Sequence, residues 1–422
     1  MPNGAATAHR LEPKLAVALR EGYNAETFRR DLAAGLTVAI VALPLSMAIA
    51  VASGVGPERG LYTAIIGGFI VSALSGSRFQ VGGPAGAFIV LMAAAVAQFG
   101  VPGMLTAVFM SGAMMVLLGF LRVGSLIRHI PHAVTIGFTA GIAATIAASQ
   151  IKDLTGIVLP GAEPASFFPK LAVLAGALPG ANVWALGLGL GTAAIIAWVK
   201  AVRPTWPAML IATTAASATT WIAHLPVETI ASRFGGIPHG LLAPAVPQLS
   251  VDAILRLGPT ALSFTLLGAI ESLLSAKVAD GMTGRAHRSN MELVGQGFAN
   301  IGSALFGGIS VTGTIARTAT NIRAGARTPI AGMLHSAFLL AFMLVAAPLA
   351  GYVPLSALAG TLLVVCWSMV EKKEFARLLK GWRGALVLLV TFGATLLRDL
   401  TTGIVLGCCV AALLTLLQRW KV

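Results

Sequence analysis

The feature that most limits what this chain can fold into is a succession of apolar runs, each near the roughly 20 residues that a helix needs to cross a bilayer. They lie at about 32–53, 58–77, 84–100, 103–122, 133–151, 183–201 and 206–223, and again at about 258–280, 291–306, 313–326, 328–350, 354–370, 383–398 and 400–418. Only 10% of the residues are charged and the mean hydropathy is +0.87, against about 25% charged in a soluble domain. The pattern predicts an all-α polytopic membrane protein with 14 transmembrane segments in two halves of seven. An odd number of spans per half makes the halves inverted repeats. The expected division is a cytosolic segment over 1–31, a first repeat over 32–223, an extracytoplasmic connection over 224–257 and a second repeat over 258–422.

The net charge of +14 would point to nucleic acid in a soluble protein. Here the positive-inside rule accounts for it. With the N-terminus inside, Arg59, Lys152, Lys170, Arg233, Arg256 and Arg398 fall outside, Lys277 and Arg317 fall within spans, and the rest of the 29 basic residues fall on the cytosolic side. Both termini are then cytoplasmic. Leu11, Leu15 and Leu19 at fourfold spacing read as a short interfacial helix, with a disordered leader as the alternative. Cys366, Cys408 and Cys409 have neither metal-site nor disulfide spacing and read as small packing residues.

The third and tenth runs are short and interrupted by glycine, and such paired segments in two halves mark transporter binding sites. Gln80-Val81-Gly82-Gly83-Pro84-Ala85-Gly86-Ala87 matches Ser310-Val311-Thr312-Gly313-Thr314-Ile315-Ala316-Arg317: a strand, then Val-x-Gly, then a helix start, with Pro84 suited to a first helical turn. Bare N–H groups in hydrocarbon are costly unless they line a cavity. The dipole makes a helix start positive, and Arg317 adds a guanidinium. The segment reads as an anion site; a Gly-rich surface loop with Arg317 snorkelling to water is the alternative.

Other polar residues within the apolar runs are candidates in their own right. Glu271 lies mid-span, where a carboxylate is functional by default, and Ser275 follows one turn later on the same face. They suggest a cation or proton site, or a structural ion pair between Glu271 and Arg317. Ser289 and Glu292 have capping-box spacing. Asn300 is placed to bond backbone freed by a broken helix, Pro44 to kink the first span, and Leu45 and Ile49 to face the core or a cavity. His335 reads as a packing or hydrogen-bonding residue more readily than as a proton relay. No P-loop, His-Glu-x-x-His or Gly-x-Ser-x-Gly occurs, so no enzyme and no cofactor is expected, and any driving force must come from a gradient.

Several stretches, in order along the chain, resemble the SulP (sulfate permease) anion transporters. They are Gly35-Leu36-Thr37-Val38 through Leu43-Pro44 to Gly60-Leu61-Tyr62, Gly76-Ser77-Arg78 through Pro84, Ser289-Asn290-x-Glu292-Leu293, Gly297-x-x-Asn300, Gly307-Gly308, Thr312-Gly313, Arg317 and Gly325-Ala326-Arg327-Thr328. Val278 to Gly284 is similar to the bacterial bicarbonate/sulfate-permease-like branch. The resemblance implies the uracil-permease-like architecture, with a core domain (spans 1–4 and 8–11) moving against a gate domain (spans 5–7 and 12–14). It implies an anion site on Leu45, Ile49, Ala85, Gly86, Ala316 and Arg317, and a coupling-ion site on Glu271, Ser275 and Thr312. Sodium-coupled relatives carry Asp where this chain has Glu271, so sodium and proton both stand as coupling ions. The expected activity is secondary transport of sulfate, bicarbonate or a dicarboxylate by a homodimer in the inner membrane. A channel or exchanger of the same fold, or a nucleobase permease of the same architecture, is the alternative. Most relatives carry a STAS domain beyond the last span, which is expected to be absent or removed here.

Overall fold

The computed structural model describes residues 11–124, 131–159, 161, 163–164, 166–398 and 400–419. Arg10, Arg128 and Lys421, three of the basic residues assigned to the cytosolic side, lie outside them. The chain is mostly helical. In order come α1 (Lys14–Arg20), α2 (Ala25–Ala52), α3 (Pro57–Tyr62), a π-helical turn (Thr63–Gly67), α4 (Gly68–Leu74), strand β1 (Gly82–Gly83) and a 3₁₀ turn (Gly86–Phe88). Then follow α5 (Ile89–Phe120), α6 (His132–Thr155), α7 (Phe167–Ala177), α8 (Val183–Val202), α9 (Ala208–Ile222) and α10 (Ile230–Phe234). The second half holds α11 (Val251–Thr283), α12 (Ser289–Leu305), strand β2 (Thr312–Gly313), α13 (Ile315–Arg323) and α14 (Ile330–Ala350). It closes with α15 (Leu355–Met369), α16 (Lys372–Leu379), α17 (Trp382–Leu397) and α18 (Leu400–Arg419).

Every apolar run holds a helix, but only six described helices are long and apolar enough to cross a membrane, or seven if the bent pair α15 and α16 counts as one. The shortfall has local causes. The second run is divided by the π-helical turn. The third and fourth runs join in α5 across Gly100, whose φ of 69° and ψ of 178° suit only glycine. The tenth is the nine-residue α13. The helix α2 runs through Pro44 without interruption, so the expected kink does not break it.

The helices pack in two groups. In one, α12 lies along α5 and α4, α14 lies along α2 and α4, and α11 lies against α5 and α13. In the other, α15 packs on α6 and α8, and α17 on α6 and α18. Contacts of α2 with α15 and α9 join the groups. Close approach requires small residues: a Cβ on Gly297 would meet the Gly112 carbonyl at 2.6 Å.

The N-terminal segment folds onto the basic end of the first group. Glu12 pairs with Arg288 at 2.8 Å, Glu21 pairs with Arg78, and the Lys14 N–H donates to the Ser75 carbonyl. Leu19 is exposed and Ala18 is buried. Asp31, fully buried at the foot of α2, accepts from Arg327 N (2.7 Å), Thr328 N (3.1 Å) and Thr328 Oγ1. Removing that carboxylate strands buried donors at about 1–3 kcal/mol each. Asp31→Ala should therefore lower the unfolding midpoint in detergent markedly, while Asp31→Asn recovers part of the loss.

The hydrogen bond from Arg288 holds the Glu12 carboxyl below its ordinary pKa, and the one from Arg78 does the same for Glu21. A lowered folded-state pKa stabilises at neutral pH, and that contribution is lost as pH falls through the lowered values. Limited proteolysis within residues 11–24 should accelerate only in that acidic range, and Glu12→Gln should bring the acceleration to neutral pH.

Candidate functional site: two uncapped helix starts around a buried guanidinium

The site is built on an antiparallel pair of two-residue strands, with Gly82 opposite Gly313 and Gly83 opposite Thr312. These are the two segments whose sequences match. Each leads into a helix. The first opens with the 3₁₀ turn at Gly86, preceded by Ala85 in extended conformation. The second opens at Ile315, preceded by Thr314, also extended. Neither flanking residue caps its helix through a side chain, so both starts keep N–H groups available to an anion. Pro84 lies just before this boundary rather than in the first helical turn, because Ala85 is still extended. Its carbonyl is thereby free to accept a hydrogen bond.

Arg317 occupies the first turn of α13 and is only 1% exposed. Its Nη1 donates to the Gly82 carbonyl (3.4 Å), and its Nη2 donates to Ser46 Oγ (3.0 Å) and the Pro84 carbonyl (3.4 Å). One side chain thus joins α2, the lead into the first helix start and the second helix start. No carboxylate among the described residues lies within ion-pairing distance of it, and Nε has no hydrogen-bond partner. The Glu271–Arg317 ion pair is therefore not formed. Gly83 is required here, because a Cβ would collide with Nη1 of Arg317. A Cβ on Gly313 would likewise collide with the amide of Gln80.

Leu45, Ile49 and Ala85 are buried in one apolar cluster. Gly86 is half-buried, and Ala316 is exposed on a different face of α13 from Arg317. Leu45, Ile49 and Ala85 are thus all buried, whereas Ala316 is at the surface.

The expected coupling residues divide. Glu271 is half-buried on α11 and makes no ion pair among the described residues. Ser275 Oγ donates to Thr318 Oγ1 (3.2 Å), which also accepts from Val81 N (3.2 Å). Thr312 Oγ1 instead shares a 2.9 Å hydrogen bond with Ser272 Oγ, which accepts from Gly313 N (3.2 Å). Ser275 and Thr312 thus serve separate hydrogen bonds, because Ser272 and Ser275 share a face of α11 but lie about 4.5 Å apart along its axis, and Ser272 is the one level with β2.

Glu292 corrects another expectation. α12 begins at Ser289, and Arg288 occupies the preceding position without a side-chain cap, so no capping box forms. Instead Glu292 is fully buried, and its Oε1 accepts from Gln80 Nε2 (2.6 Å) and Gln296 Nε2 (3.2 Å). Gln80 also donates to the Ser272 carbonyl (3.3 Å). Asn300 behaves as expected: its side chain donates to the Val311 carbonyl and accepts from the Val311 N–H, at 2.9 and 3.0 Å. His335 is buried on α14. Ser46, Ser272, Thr318 and Gln80 were missed by sequence reasoning. The signal for Gln80 was its place at the head of the matched segment.

Gly83→Ala should lower thermal stability about as much as Arg317→Ala, and the double variant should lose little more than either. Non-additivity of this kind is expected for residues in direct contact, and strict additivity would show that the guanidinium does not lie over Gly83.

The model of the Sulfate permease family matches residues 28–391. YvdB of Bacillus subtilis, provisionally named a sulfate transporter, is 42% identical over 391 residues, covering 92% of this chain and 73% of its own. The bicarbonate transporter BicA of Picosynechococcus is 31% identical over 404 residues, 92% of this chain and 70% of its own. Among solved structures, the transmembrane domain of a cyanobacterial BicA superposes with a TM-score of 0.82 at 28% identity, covering 94% of this chain and all of the other. Murine Slc26a9 in the inward-facing state shares the fold, with a TM-score of 0.86 at 18% identity over 97% of this chain and 71% of its own. These relatives are transporters, not enzymes, and the chain, a multi-pass membrane protein, belongs to the Sulfate permease family.

Proposed function

We propose that this protein is a secondary active transporter of small anions, of the sulfate, bicarbonate or dicarboxylate class, working by alternating access. The observation that carries the reading is a buried arginine without a carboxylate partner, set between two uncapped helix starts. A desolvated cation in a membrane interior needs a counter-charge, and a transported anion supplies it transiently. Leu45, Ile49, Ala85 and Gly86 form the wall of the anion's position, with Arg317 positioning the helix starts and supplying the field. Ala316 lies at the open side.

The finer architecture belongs to the same proposal. Fourteen spans form two inverted repeats over 32–223 and 258–422. The packing group of α2–α5 with α11–α14 is the moving core, and the group of α6–α9 with α15–α18 is the gate. The antiparallel pairing of the matched segments supports the inversion, and the two packing groups support the division. The protein is proposed to be a homodimer in the inner membrane, with both termini cytoplasmic.

Reconstituted in vesicles, Arg317→Ala should lose most anion uptake, and Arg317→Lys should keep part of it, since the lysine retains the charge but not the guanidinium's several donors. Full uptake by a folded Arg317→Ala protein would end the reading. Glu271 is proposed to carry the coupling ion, with a proton favoured because Ser275 and Thr312 are already engaged elsewhere. Glu271→Gln should then abolish the response of uptake to an imposed pH gradient while leaving exchange of labelled anion intact. An unchanged pH response in that variant would remove Glu271 from coupling.

A further inference from the structure

At the basic end of the second packing group, a cavity of about 550 Å³ opens between α6, α15, α16 and α17. Its size lies within the range of about 300–1,000 Å³ typical of sites that enclose a drug-sized ligand. Ala140, Ala143, Ala144 and Ala147 form one small-residue stripe of α6. Leu363, Cys366 and Trp367 of α15, with Val370 just beyond its end, form a matching stripe, and Phe375 and Phe392 close the side with an edge-to-face contact. Apart from the Trp367 indole N–H, the Cys366 thiol and the Lys372 ammonium, the lining side chains offer an inorganic anion no hydrogen-bond donor. Among the described residues that line it, the charged one is Lys372, whose ammonium lies 3.4 Å from the centroid of the Trp367 ring.

The helix that carries Lys372 is unusual. α16 bends 41° from α15 and buries none of its residues. With its flanks it presents Lys372, Lys373, Arg377, Lys380 and Arg383 against Glu371 and Glu374, and Glu374 already faces Arg377 at 3.5 Å and His132 at 3.7 Å. Trp367 and Trp382, at its two ends, are 72% and 66% exposed. A basic amphipathic helix flanked by tryptophans belongs at the headgroup level of a bilayer. Clusters of lysine and arginine there attract anionic lipid.

We propose that this cavity is a binding site for an anionic phospholipid. One acyl chain fills the space between the alanine stripe of α6 and the apolar stripe of α15, and the phosphate lies against Lys372 and the basic face of α16. The apolar walls select a hydrocarbon chain, and the excess of cations at the rim selects the charge of the headgroup. None of the cavity's lining residues is among those assigned to the guanidinium site. Met369, one residue from the cavity stripe, lies against Gly86, with its sulfur 3.5 Å from where a Cβ on that glycine would be. A bound lipid would therefore bear on the same helix that meets the first helix start.

The test uses the full chain, delipidated in detergent, with unfolding midpoints and native mass spectra recorded against phosphatidylglycerol, phosphatidylcholine and inorganic phosphate. Phosphatidylglycerol should raise the midpoint in a concentration-dependent way and remain bound in the spectrum, while the other two should not. Lys372→Gln should weaken phosphatidylglycerol about fivefold, the effect of one near-surface cation. Ala144→Phe, which fills the cavity, should abolish retention. Should Ala144→Phe not fold, a phosphatidylglycerol carrying a photoreactive acyl chain should label residues 140–147 or 363–370 of the unaltered protein. Equal effects of the two lipids, a shift with inorganic phosphate alone, or no labelling of these stripes would overturn the proposal. So would delipidated protein in which a second copy covers this face.

Discussion

The architecture depends on the burial of one guanidinium against backbone. Arg317 takes the carbonyls of Gly82 and Pro84 and the hydroxyl of Ser46 as its partners, so its charge is solvated by dipoles rather than cancelled by a carboxylate. A carboxylate would neutralise the site. Carbonyl dipoles hold the side chain and leave its net charge expressed in the surroundings. This arrangement requires irregular backbone inside the bundle, which is tolerable in a membrane only where protein or a cavity satisfies the freed polar groups.

The helices α11 and α12 do most of that satisfying. Ser272 and Ser275 of α11 bond β2 and the start of α13. Glu292 of α12 holds Gln80 at the entry to β1, and Asn300 of the same helix closes on both backbone groups of Val311. Each of these buried hydrogen bonds resists breaking in a low-dielectric interior, because its loss exposes a desolvated group. The strand pair is thus a fixed frame from which the two helix starts project. The other packing group, by contrast, is lined by alanine and aromatic side chains at its cavity.

Much of this was legible in the sequence, and the parts that were not share a cause. The apolar runs locate the helices, since hydrocarbon tolerates backbone only when it bonds to itself locally. The match between Gln80–Ala87 and Ser310–Arg317 identifies the strand-then-helix segments, because glycine and β-branched residues at those positions disfavour a continuous helix. Asn300 could be read because a lone amide in an apolar run must find backbone. The Ser289–Glu292 spacing misled, since the same spacing serves a cap when exposed and a long-range anchor when another segment, here Gln80, comes within reach.

The sequence by itself determined the solvent this chain folds in, the order of its helices and the place of its two breaks, because those follow from local hydropathy and backbone preference. Only the tertiary structure decided that Gly82 faces Gly313, that Thr312 pairs with Ser272 rather than Ser275, and that Arg317 rests on carbonyls instead of on Glu271. Those outcomes depend on the rotation and depth of segments tens to hundreds of residues apart, where a shift of one residue turns a side chain by about 100° and exchanges one partner for another.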